Sequence, residues 1–442
     1  MATSHTPRLG ALALLLVLVA LQWLLVSNPG FFSHDELQWG ARADVPGLAD
    51  IRWVAWTDVG NFQWRPLTFN LWQLLSHLLF GNPQAMHLAW VLMGSAVALM
   101  LGGLLMRLGA DTWVARGAVL AFALGPYPAY VHGWVATLAD LLWVAAGLGL
   151  AHVLVWLRWR GASPWLPGLA AFAFTAAALM AKEAALAIPA LLGLAWVLRR
   201  NDPVGLAAVV GSGLAAVLYL GLRVGPIMAG GGDDTYAVML HSAPRNWAAY
   251  WLLPLRPTAF EVQNVWYASS RFLWAGVVVW AVTIMLVLRT APRAALAMVL
   301  GGTLALAPAL PLGFAANQYG YGFWACVVGC LAAAWPELGR PTRLWIGFLA
   351  VMACASGFAI QKEMNRVGHL QAVFQPALAE ALAGHDGELR IRKPEESWIY
   401  QRLSFNILSW RGRPIGDRIA WVEPGEPADY AVADDGRLVP LR

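Results

Sequence analysis

The chain of 442 residues is 59% hydrophobic and 12% charged, roughly half the charged share of a soluble domain. That excludes a freely soluble globular protein and places the chain in a bilayer. Its 30 Lys and Arg against 25 Asp and Glu give a formal charge of +5. Most of that charge is arginine lying between apolar runs, not a basic stripe, so nucleic acid is not expected as a partner.

Leu9 to Val26 opens the chain with a long apolar run that no small-residue cleavage pattern follows, so it reads as a retained anchor. A span needs about 20 apolar residues. Eleven runs are read as spans, near 9–27, 85–106, 114–131, 134–157, 165–181, 184–198, 203–222, 271–288, 294–311, 319–335 and 342–360. With Arg8 cytoplasmic, the inner links carry Arg107 and Arg116, Arg158 and Arg160, Arg199 and Arg200, Arg289 and Arg293, and Arg340 and Arg343. The short opposite links near 126–133 and 311–319 carry no arginine, and the one between spans five and six carries Lys182. This asymmetry follows the positive-inside rule. It predicts a cytoplasmic N-terminus, an extracytoplasmic C-terminus and three long outer segments: 28–84, 223–270 and the tail from 361.

In the first outer segment, Phe31-Phe32-Ser33-His34-Asp35-Glu36 sets two adjacent carboxylates at the exit of the first span. Further on, Trp64 to Gly81 is apolar, yet Asn70, Gln73 and His77 recur at helical spacing. That pattern predicts an amphipathic helix lying in the interface. The second outer segment holds Gly230-Gly231-Gly232-Asp233-Asp234, either a solvated connector or a lid or metal-touching loop. Arg245, Trp247, Tyr250, Trp251 and Arg256 predict another interfacial helix. The tail is of soluble composition, with strands expected at 388–391 and 419–422 and a helix at 395–408, interrupted by Pro394, Pro414, Pro424 and Pro427. Cys326, Cys330 and Cys354 lie inside apolar runs and read as small core residues. The expectation is an all-α polytopic membrane protein, with a transmembrane domain over 1–360 and a small extracytoplasmic segment over 361–442.

Charged groups beside hydrocarbon need a reason. Asp35, Glu36, Asp58, Arg65, Asp140, Lys182 and Glu183 all fall at the outer side of this topology, where they could converge on one cavity. Adjacent side chains point in different directions, so Asp35 and Glu36 need not share a role. One could act as a general base while the other orients substrate or ligates a metal, or the pair could cap a helix behind Ser33. Arg65 could snorkel to a lipid phosphate or grip a substrate phosphate with its fork. Lys182 and Glu183 could pair with each other, or Lys182 could face an anionic leaving group while Glu183 sets its position. His77 and His87, ten residues apart, have poor metal spacing and read as hydrogen-bonding groups. Asp233 and Asp234 could join Glu36 around a divalent cation.

The acidic pair after the first span, the element Trp64-Arg65-Pro66-Leu67, and Lys182-Glu183 at a later outer helix end resemble the GT-C glycosyltransferases. The chain is most similar to their transmembrane O-mannosyltransferase-like branch with tetratricopeptide repeats. Phe80-Gly81-Asn82-Pro83, His87, Ala139-Asp140-Leu141-Leu142 and Pro189 match in order and rough spacing, so the resemblance covers residues 9–335. It departs from the pattern where Leu138-Ala139 replace a basic residue before Asp140. Gln318-Tyr319-Gly320-Tyr321 stands where kin have Arg-Tyr-x-Tyr, and no repeats follow.

The resemblance implies a GT-C-type bundle and a polyprenyl-phosphate-linked sugar donor, on undecaprenyl phosphate if the membrane is a bacterial inner membrane. The acceptor would be a hydroxyl on a glycan, lipid or protein, and the enzyme an inverting hexosyl or pentosyl transferase. Asp35 would be the general base, with Glu36 beside it. Arg65 and Lys182 would hold the donor phosphate, and Glu183, His87, Asp140, Tyr319 and Tyr321 would support them. The competing readings are a transporter or flippase of a lipid-linked sugar, and a scaffold. A transporter would carry ionisable groups at mid-membrane and often an internal repeat, and no repeat is visible.

Overall fold

The computed structural model describes residues 6–199, 202–229 and 237–441. All eleven apolar runs are predominantly helical. The first is α1 (Thr6–Leu21) and the turn α2 (Trp23–Val26), and the link after it contains α3 (His34–Ala43) and α4 (Pro66–Leu79). Next come α5 (Pro83–Arg107), α6 (Thr112–Ala123), α7 (Pro126–Gly133), α8 (Leu138–Trp159), α9 (Trp165–Ala181), α10 (Ala187–Arg199) and α11 (Pro203–Ala229). After α12 (Ala243–Leu252) follow α13 (Ser270–Thr290), α14 (Pro292–Leu306), α15 (Gly320–Ala334) and α16 (Arg340–Ala383).

Among the described residues five helices are long and apolar enough to cross a membrane: Pro83–Arg107, Val135–Trp159, Pro203–Ala229, Ser270–Thr290 and Arg340–Ala383. The other apolar runs are shorter or broken. The third is split between α6 and α7 at Gly125-Pro126, where proline's missing N–H favours a new helix start over continuation.

The outward surface is that of a helical membrane protein. Along α11 the side chains of Leu206, Val210, Leu214, Val217 and Leu218 are exposed, an apolar stripe that water would penalise and lipid would not. Trp113, Trp156, Trp159 and Trp165 are exposed near the arginine-bearing helix ends, as interfacial tryptophans are. Inside, α9 and α11 approach closely because Gly168 faces Gly211, where any Cβ would overlap the opposing backbone. Beside them Thr175 and Ser212 share a hydrogen bond of 2.9 Å. Small residues with a polar bond are a common solution for helix pairs in lipid.

α16 runs unbroken for 44 residues, about 66 Å at 1.5 Å per residue, twice the roughly 30 Å hydrocarbon core. The boundary expected at 360/361 falls inside it. The reason is visible in its buried positions: Ile360, Met364, Val367, Gln371, Phe374, Leu378 and Leu382 recur every three or four residues and continue the inner face past the last apolar run. This half clamps α2 and the chain that follows it. Asn365 Nδ2 donates to Leu24 O at 2.8 Å, and Gln371 Oε1 accepts from Phe31 N at 3.0 Å.

The tail folds on α16. Strands β1 (Leu389–Arg392), β4 (Ile419–Val422), β5 (Tyr430–Val432) and β6 (Leu438–Pro440) form a sheet in the order β4-β1-β5-β6. β2 (Ser409–Trp410) and β3 (Arg413–Pro414) form a separate ribbon. β1 pairs in parallel with β4, Leu389 opposite Ile419, so both strands expected here are present. The expected helix is shorter, α17 (Ser397–Ser404). Its end leads to Asn406, whose φ of 52° is left-handed, a conformation asparagine tolerates better than most residues.

Candidate functional site

The acidic pair separates. Ser33 is the N-cap of α3, Asp35 and Glu36 lie in its first turn, and Glu36 at the third position turns back on the cap. Glu36 Oε2 accepts from the amides of Phe32 at 2.5 Å and Ser33 at 2.8 Å, and Oε1 accepts from Val135 N at 2.9 Å. The carboxyl is 1% exposed. Burial pushes its pKa up to about 8, against the pull of the three amides and of Arg402. Glu36 is therefore an internal strut tying α3 to the start of α8. Asp35 turns outward. Its side chain is 41% exposed and lies 3.4 Å from His34 Nε2. Burial keeps the His34 imidazole below its ordinary pKa, opposed by Asp35.

A second cluster forms where α8, α9 and the turn after α9 meet. Lys182 is the C-cap of α9 with extended backbone, φ −162° and ψ 141°. Glu183 opens the 3-10 turn that follows, and the two neighbours take different partners instead of pairing with each other. Lys182 Nζ bonds Asp140 Oδ2 at 2.5 Å. Glu183 Oε2 is held by Arg65 through Nε and Nη2, both at 2.8 Å. Glu183 thus positions Arg65 and not, as the sequence suggested, the lysine. Arg65 also acts electrostatically on Asp140 and Lys182, and the Tyr319 ring lies 4.6 Å from Lys182 Nζ.

Arg65, Lys182, Glu183 and Tyr319 line a cavity of about 130 Å³ with Phe62 and apolar side chains that include Ile227 and Pro311. The expected convergence therefore holds for Arg65, Lys182, Glu183 and, behind Lys182, Asp140. It does not hold for Asp35, Glu36 and Asp58, which are not part of this lining. The two clusters are linked through the start of α8: Glu36 bonds Val135 in the 3-10 turn that leads into the helix, and Asp140 lies in the first turn of α8.

Sequence reasoning passed over Arg223. It is fully buried in α11, donates to the carbonyls of Val59, Asn61 and Phe62, and lies 5.8 Å from the Trp64 ring. It therefore shapes the stretch leading into Arg65. An arginine inside a 27-residue apolar helix was the available signal.

His87 and Tyr321 support the fold from within. His87 Nε2 bonds Gly30 O at 2.8 Å, beside the acidic loop. The Tyr321 hydroxyl lies 3.2 Å from His132 Nε2, and His132 Nδ1 lies 2.6 Å from Gln22 Oε1. The polar stripe of α4 is also used internally. Asn70 bonds both backbone groups of Val54, Gln73 is buried, and His77 Nδ1 lies 3.1 Å from Ala43 O.

Among the described residues no three His, Cys, Asp or Glu side chains group as metal ligands. Glu36 does not fit the suggested cation site, since backbone amides occupy both its oxygens. Asp233 and Asp234 lie outside the described residues. No family model matches the chain, and neither a curated protein nor a solved structure matches it at a significant level.

Proposed function

We propose that the protein is a GT-C-like membrane glycosyltransferase with about eleven spans, its acidic loop and tail on the extracytoplasmic side of a bacterial inner membrane. It would move a sugar from a polyprenyl-phosphate donor to a hydroxyl of a glycan, lipid or protein, with inversion. The observation that carries this reading is the cavity that Arg65 and Lys182 line together, with the Tyr319 ring beside Lys182. Two cations, each steadied by a carboxylate that a phosphate could partly displace, stand in a partly dry, apolar-walled recess that suits a phosphate still attached to a lipid. At a few ångströms and an effective dielectric of about 20, one such contact is worth on the order of 4 kcal/mol. Charge that develops on the leaving phosphate during transfer is then stabilised electrostatically. Asp35 is the exposed carboxylate at the other end of the α3–α8 connection, free to take the proton of an incoming hydroxyl. The sugar would bridge the two clusters. Its anomeric carbon would accept the hydroxyl oxygen as its bond to the phosphate oxygen breaks.

A second reading, transport of the lipid-linked sugar, draws on the Lys182–Asp140 pair and the Gln22–His132–Tyr321 chain, all buried within the helical bundle. Ionisable groups at such positions mark transport pathways.

The test is transfer of label from a radiolabelled polyprenyl-phosphate-sugar pool in membranes carrying wild type or Asp35→Asn at equal protein level. Loss of about 10²- to 10⁴-fold on substitution supports a general base. Equal transfer by both makes Asp35 structural. No transfer by either, with movement of labelled lipid between leaflets in proteoliposomes, favours the transporter.

A further inference from the structure

The tail reaches back to the acidic loop through one side chain. Arg402, on α17, is 21% exposed. Its guanidinium carbon lies 4.2 Å from the Phe32 ring centre and 5.4 Å from that of Trp134. Glu261, from the link between α12 and α13, approaches to 3.3 Å, and Tyr130 of α7 also faces it. A guanidinium between aromatic rings and a carboxylate is held by charge and by ring quadrupoles together.

The two rings that Arg402 touches belong to residues that orient the Ser33–Glu36 turn. Phe32 N donates to Glu36 Oε2. The Trp134 indole N–H donates to Ser33 Oγ at 2.9 Å, and the next residue, Val135, donates to Glu36 Oε1. The chain just past Arg402 covers the start of α3. Phe405 packs edge-on to His34 at 5.4 Å, and its carbonyl accepts from Gln38 Nε2 at 3.3 Å.

We propose that Arg402 is a positioning residue: docked on Phe32 and Trp134, it holds the Ser33–Glu36 turn in the orientation that presents Asp35, so that the tail completes the site. This rests on the reading of Asp35 as the base.

The experiment compares full-length wild type, Arg402→Gln and Arg402→Lys in lipid nanodiscs. It measures amide hydrogen exchange over residues 31–43, thermal stability, and transfer from the labelled polyprenyl-phosphate-sugar pool. Arg402→Gln is expected to speed exchange in this segment and to lower kcat by about 10- to 100-fold, the effect of a small misplacement of a reacting group. The apparent KM for the donor should stay unchanged, because Arg65 and Lys182 are untouched. Arg402→Lys keeps a cation on the rings and is expected to restore protection and most of kcat. Unchanged exchange and kcat in Arg402→Gln would overturn the proposal. So would equal losses in both variants accompanied by lower stability and a higher KM, which mark a structural clip. If wild type transfers nothing, the transferase reading falls by itself, and the exchange data still decide whether Arg402 holds the turn.

Discussion

Lys182 and Asp140 join the end of α9 to the first turn of α8 by a 2.5 Å charge pair whose side chains are 6% and 1% exposed. Removing one partner strands the other charge in a dry interior. Lys182→Met alone is expected to lower stability by about 3–5 kcal/mol, read as thermal unfolding in detergent micelles. Adding Asp140→Leu should recover most of that loss, because two apolar groups of similar size tolerate burial. Transfer should stay absent in the double variant, which separates the role of Lys182 in the fold from the role proposed for it toward the donor phosphate.

Arg65 and Glu183 are less deeply placed, with side chains 18% and 20% exposed. Stability should change little on substitution, as partly exposed pairs contribute modestly. Arg65→Lys keeps the charge and loses the fork. The donor KM is expected to rise about tenfold, equivalent to about 1.4 kcal/mol, with melting temperature nearly constant. A KM equal to wild type would remove Arg65 from the donor site.

Glu36 makes stability depend on pH. Its carboxyl titrates near 8 when folded, against 4.5 as its ordinary value. Between these values the folded chain holds a proton that the unfolded chain has lost. This contribution is therefore greatest below about pH 4.5, declines as pH rises, and levels above about 8. His34 acts oppositely, since its depressed folded pKa costs stability as pH falls through its ordinary range near 6.5. The difference in melting temperature between wild type and Glu36→Gln, followed from pH 5 to 9, isolates the glutamate. A difference that does not vary with pH would refute the shift.

Arg223 tests the loop before Arg65. Arg223→Lys cannot serve three carbonyls in the same planar geometry. Exchange at residues 57–63 is expected to rise, and donor KM with it, while kcat stays within about twofold. Rigid retention of the loop would show that other contacts hold it.

Composition makes the helices legible, because lipid allows little else. The different directions of Asp35 and Glu36 follow from backbone geometry, and the arginine spacing follows the links. Partners distant in sequence were not legible. Nothing near Lys182 points to Asp140, 42 residues earlier, over the adjacent Glu183. Nothing in the tail's composition marks Arg402 as the arginine that reaches Phe32, 370 residues away. α4 shows the same limit. Asn70, Gln73 and His77 look like a face for water, yet they satisfy Val54, the protein interior and Ala43.

The uninterrupted α16 sets a phase relation between the membrane and the tail. One inserted residue near its middle would turn everything beyond by about 100° and advance it about 1.5 Å. The tail, which carries Arg402, would then be aimed away from Phe32. Seven residues would nearly restore the direction but lift the tail by roughly 10 Å, clear of the loop. Sequence in this half of α16 can vary widely so long as its buried stripe persists, whereas its residue count cannot. The helix acts as an indexed shaft, and the register of its turns, more than any single contact, determines whether the two ends of the chain meet.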